Sequence, residues 1–114
     1  MSIDKSGVID HVALSEGEQK AVLIISDHLD WEDEKDHIRL FEQKMSSYLD
    51  FIRSGQILEV LPEAKNLPIR IELVQQYKPT ESAIHLLNAA KKQLAEMGLE
   101  FTFHALPTGY RRPS

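Results

Sequence analysis

Side chains that can ligate a metal or move a proton crowd one short stretch of this chain: Asp27, His28, Asp30, Glu32, Asp33, Glu34, Asp36 and His37 fall within eleven residues. Carboxylate oxygens and imidazole nitrogens at that density are the donor set of a divalent-cation site or of an acid–base centre. The spacing does not match a calcium loop. A loop beginning at Asp27 would need oxygen ligands where Leu29 and Trp31 stand, and one beginning at Asp30 has Lys35 at the glycine position and ends on Phe41 where glutamate is required. The acids have a plainer use as a helix start, where the macrodipole favours negative charge. If chemistry resides here, Asp27, His28 and His37 are the catalytic candidates and Asp27, His28 and Asp30 the metal candidates. No complete catalytic set and no cofactor is expected.

The rest of the chain completes no motif either. The five histidines show no HExxH or HxH spacing, and the five glycines form neither GxGxxG nor GxxxxGK[ST]. There is no GxSxG, and the absence of cysteine removes thiolate nucleophiles, disulfides and cysteine-ligated metals together. Glu42-Gln43-Lys44 has the Glu-x-Lys form of many nucleases but falls on a helix without a second carboxylate beside it. Trp31, the single tryptophan, is expected to cover a helix–sheet junction with its indole nitrogen hydrogen-bonded, or to anchor a partner.

These residues need elements to position them. Val8 to Leu14 and Lys20 to Ser26 read as an antiparallel strand pair, the second apolar on both faces and therefore central. Asp30 is the expected N-cap of a first helix, on which Ile38, Phe41, Met45, Tyr48, Leu49 and Ile52 recur at three- and four-residue steps; Gly55 suits the left-handed position after it. The connection 56–67 has room for a helical turn or a brief edge strand. Ile69, Ile71 and Leu73 then alternate with Arg70, Glu72 and Val74 as a third strand. Thr80 starts a second helix carrying Ala83, Leu87, Ala90, Leu94 and Met97, closed by Gly98, and Leu99, Phe101 and Phe103 form a last strand alternating with Glu100, Thr102 and His104. The order β-β-α-β-α-β predicts an α+β, two-layer sandwich: a four-stranded mixed sheet with two helices on one face. The polar sides of strands three and four would face water or a second subunit.

The 114 residues, 42% of them hydrophobic, suit one domain spanning 1–114, with a folded core at 7–106 and a flexible tail at 107–114. The longest apolar run, Ala21 to Ile25, is too short to span a bilayer, and a net charge of -5 should repel phosphate backbones. Nucleic acid and membrane are therefore not expected partners, and a cytoplasmic location is.

The segments VIDHVAL, LIISDHLDW, EQKMSSYLDFIRSGQI, PEAKNLPIRI and GLEFTFH, spread over residues 7 to 104, give the chain its likeness to known sequences. It resembles a family of short uncharacterised bacterial proteins of unknown function. The resemblance implies a stand-alone domain with no established reaction, no known cofactor and no functional residues to carry over. The expected function is a protein-interaction module, homodimeric or of the immunity or antitoxin type, with Asp27, Asp30, Trp31, Arg70, Glu72 and His104 as partner-binding candidates. The alternative is a metal-dependent or acid–base enzyme centred on Asp27, His28 and His37.

Overall fold

The computed structural model describes residues 3, 7–15, 17 and 19–106; the expected C-terminal tail, 107–114, lies outside them. Four strands, β1 (His11–Leu14), β2 (Ala21–Asp27), β3 (Ile69–Gln75) and β4 (Glu100–Ala105), form one sheet in that order. β1 pairs antiparallel with β2, and β2, β3 and β4 run parallel. Parallel neighbours need crossovers, supplied by α1 (Glu34–Arg53) between β2 and β3 and by α3 (Glu81–Glu96) between β3 and β4. Both connections step the same way across the sheet, so right-handed crossovers put both helices on one face. The fold is the expected α+β two-layer sandwich.

The alternation of β2 and β3 shows which face is covered. Leu23, Ile25, Ile71, Leu73 and Phe101 are buried and join Phe41, Met45, Tyr48 and Phe51 of α1 and Leu87 and Leu94 of α3 in one core. The residues alternating with them, on the opposite side, are Val22, Arg70 and Glu100 in one register row and Ile24, Glu72 and Thr102 in the next. No described helix covers that second side.

Several details differ from the sequence reading. The strand pair is shorter at its outer end, starting at His11. Of the two forms expected for the connection 56–67, the helical one is found, as a third helix, α2 (Gln56–Val60), and a 3-10 turn at Pro62–Ala64; the buried Ile57 seats α2 on the core. The cap of α1 is Asp33, whose carboxylate accepts from the Asp36 amide at 3.1 Å, because Asp30 is spent on an Asx turn to the Glu32 amide. α1 is also rolled about its axis relative to the hydrophobic stripe. His37, Phe41, Lys44, Met45, Tyr48 and Phe51 are its buried residues, whereas Ile38, Leu49 and Ile52 are only partly covered. On α3, Ala83, Leu87 and Leu94 are buried as expected but Met97, in the C-cap position, is exposed. Gly55 follows α1 with φ +83°, the left-handed conformation that a side chain would strain.

Candidate functional site

The parallel strands end at one edge of the sheet, and the turn from β2 into α1 folds over it. Asp27 is the last residue of β2 and points to the helix side, where odd-numbered β2 residues are buried. Its Oδ1 accepts from the Leu29 amide at 3.1 Å, tightening the turn, and its Oδ2 lies 2.6 Å from Nε2 of His37 in the first turn of α1. The other ring nitrogen, Nδ1, donates to the Asp30 carbonyl at 2.9 Å. The Trp31 ring closes the arrangement by stacking on the imidazole, with centroids 3.6 Å apart and planes 17° from parallel. Both partners of the ion pair have side chains only 1% exposed.

Two acceptors at the two ring nitrogens favour the doubly protonated imidazolium. Burial alone would depress the His37 pKa. The hydrogen bond and charge of Asp27, helped by the Asp30 carbonyl, outweigh it and raise the value above the usual 6.5. Because both nitrogens are engaged and desolvated, no imidazole lone pair is available to a substrate or a cation. The pair ties the end of β2 to the start of α1, and that is a latch's chemistry.

Asp27 and His37 thus come together, as the acid–base reading required, and with them Trp31 and the main chain of Asp30. His28 does not join them; it is exposed, as is Asp30. Among the described residues no three His, Asp or Glu side chains gather as a metal-binding group. The Trp31 indole nitrogen, expected to be hydrogen-bonded, is buried without a partner among the described residues, because the ring is positioned by stacking.

A second acid–base pair escaped the sequence reading. Lys44, 0% exposed, lies seven residues beyond His37 on the same side of α1. Its Nζ donates to Asp10 Oδ1 at 2.9 Å and to the Val8 carbonyl at 2.6 Å, and Asp10 Oδ2 accepts from the Ser26 amide at 2.9 Å. Tyr48, one turn on, donates its hydroxyl to the Ile24 carbonyl and accepts from the Asp10 amide at 2.9 Å. Burial pushes the Tyr48 hydroxyl pKa far up, so it stays a neutral donor. The usable signal was the spacing 37, 41, 44, 48, 51, an unbroken four-three repeat that includes two basic residues.

The remaining candidates lie on the uncovered side of the sheet. Arg70 and Glu72 face each other along β3 at 3.6 Å, and Glu100 pairs with Lys20 at 2.7 Å. His104 is exposed beside Val74. The apolar centre of this side is Val22, 6% exposed, with the partly buried Ile24 and Val74. Arg70 Nε and Thr102 Oγ1 are shielded from solvent and have no hydrogen-bond partner among the described residues.

Residues 1–107 match a family of unknown function (DUF6572), and the chain belongs to that family. No curated protein and no solved structure matches it. Among the described residues no helix is long and apolar enough to cross a membrane.

Proposed function

We propose that this domain is a cytosolic protein-interaction module that pairs with a second copy of itself through the uncovered side of its sheet. One observation carries the reading: around an apolar centre that side holds two desolvated polar atoms without a hydrogen bond among the described residues, Thr102 Oγ1 and Arg70 Nε, the latter with its ion-pair partner Glu72 at 3.6 Å, beyond hydrogen-bond distance. Buried polar groups are normally paired, and a facing surface would supply the partners. Charge agrees. The chain carries -5 overall, yet this side balances two cations, Lys20 and Arg70, against two anions, Glu72 and Glu100. A two-fold axis can place Arg70 of one copy against Glu72 of the other, so self-pairing meets no net repulsion where the copies touch.

Four strands spaced ~4.8 Å and ~20 Å long present roughly 400 Å² of projected sheet per copy, about 800 Å² for the pair, which is below the size of stable interfaces and within that of weak, transient ones. A weak dimer that forms only toward high concentration is the expected state. Sedimentation velocity from sub-micromolar to hundreds of micromolar should show a concentration-dependent dimer. Glu72→Arg, which sets two like charges side by side, should abolish it, and the charge-swapped Arg70→Glu/Glu72→Arg protein should restore it. A monomer throughout that range, or a dimer indifferent to Glu72→Arg, refutes the proposal. An acid–base enzyme is the weaker reading, because the one buried acid–base pair at the strand ends has its imidazole fully engaged.

A further inference from the structure

Gln75 ends β3 in register with Asp27 on β2 and Ala105 on β4, and its side chain points to the helix side. The main chain around it is fully used: the Gln75 carbonyl accepts from the Leu106 amide and the Gln76 amide donates to the Asp27 carbonyl, both at 2.8 Å. Its side chain is not. The residue is 1% exposed, and neither Oε1 nor Nε2 has a partner among the described residues. A glutamine amide offers two donors and an acceptor in one plane, and burying all of them unpaired is unfavourable unless something visits.

Gln75 is one of the residues lining a cavity of about 340 Å³ at the carboxyl ends of β3 and β4, within the size range of small-ligand sites, and its amide lies just beneath that surface. Pro79, Ile84, Phe103 and Leu106 give it apolar walls, and the exposed Lys78 stands at its rim. The neighbouring start of α3 is already taken. Glu34 is held there by the hydroxyls of Thr80 and Ser82, and those bonds lower its pKa and keep it anionic. A phosphate or other anion seeking the helix end would meet that carboxylate, so the recognition element left is the Gln75 amide.

We infer that this cavity is a binding site for a small planar molecule with adjacent N–H and C=O or ring-nitrogen groups: a nucleobase or a cyclic or primary amide. A turn of the Gln75 side chain brings its amide from beneath the surface to the cavity, where the edge of such a ring pairs with it through two hydrogen bonds, one in each direction, as glutamine does with adenine. Its faces lie against Phe103, Ile84 and Pro79, and Lys78 accommodates an anionic substituent at the mouth. This site opens at the end of the sheet, mainly on its helix side, and meets the proposed dimer face only at His104.

The test is a nitrogen–proton correlation titration of the full chain with adenine, uracil and nicotinamide, each to millimolar concentration. At least one should move the Gln75 side-chain amide pair and the backbone amides of Lys78 and Leu106 saturably. Gln75→Met, near-equal in volume and without hydrogen-bonding groups, should weaken that binding about tenfold or more. If that variant does not fold, Ile84→Trp fills the cavity from α3 and must abolish the shifts. No saturable shift with any of the three probes overturns the inference, as does binding that survives either substitution.

Discussion

Replacing Lys44 by Met should unfold much of this protein's stability although the change adds hydrophobic surface to a core position. The ammonium lies 2.9 Å from Asp10 with both side chains nearly inaccessible, 0% and 4% exposed. At that distance and an effective dielectric of ~20 the attraction is about 6 kcal/mol, most of it offset by the cost of desolvating the two ions. The variant keeps the cost of burying the Asp10 carboxylate and loses the attraction that offset it. Asp10 is left buried with the Ser26 amide as its donor, and the Val8 carbonyl loses the Lys44 ammonium. Breaking one side of such a pair costs about 3–5 kcal/mol. A domain of 114 residues has a total of about 6–17 kcal/mol, so the loss is a large fraction of it. With a urea m-value of ~2 kcal/mol/M, the midpoint at neutral pH should fall by about 2 M. The decisive companion is Asp10→Asn/Lys44→Met. Its amide oxygen still accepts from Ser26 and no charge remains buried, so it should recover to within about 1–2 kcal/mol of the parent. If the single variant lies within about 1 kcal/mol of the parent, or the double is no more stable than the single, the pair does not carry the packing of α1 onto β1 and β2.

Two further outcomes follow from the same contacts. His37 has its pKa raised in the folded protein, so its stabilising contribution is fully present below about pH 6.5 and is lost as pH rises through the higher folded value. Trp31, the single tryptophan, stacks on that ring and should brighten as the quenching imidazolium loses its proton, with a midpoint above 6.5 that vanishes in His37→Gln; a midpoint below 6.5 contradicts the latch. Gly55→Ala meets no atom within 4 Å but places a side chain at φ +83°, so calorimetry should show a loss of about 1 kcal/mol from backbone strain alone; an unchanged melting temperature would mean that the turn relaxes.

The elements were legible where the pattern was redundant. β3 announced its two sides through the Ile69–Val74 alternation, and the sheet, its order and its single helical layer followed from strand and helix periods with the handedness of crossovers. The orientation of α1 was not legible from hydrophobicity, because two of its buried residues are His37 and Lys44. A stripe drawn through Ile38, Leu49 and Ile52 is off by a fraction of a turn. Asp33 took the cap from Asp30 for a related reason: several acids in a row could each serve, and tertiary demand on the Asp30 carbonyl from His37 decided among them.

The candidate site divides along the same line. Asp27 was singled out by its place at a strand end, and the structure gives it a partner ten residues away that sequence had grouped only loosely with it. Lys44 and Gln75 were marked only by their phase, in the four-three repeat of α1 and the alternation of β3, because a charged or amide side chain is assigned to the surface by composition and is drawn inside only by what other elements offer. For Lys44 the offer is the Asp10 carboxylate, delivered by the strand pair beneath it. For Gln75 the described residues make no offer at all. Two buried polar residues that look alike in the sequence are therefore physically opposite: one is satisfied and holds the fold together, the other is unsatisfied and marks where a ligand would complete it.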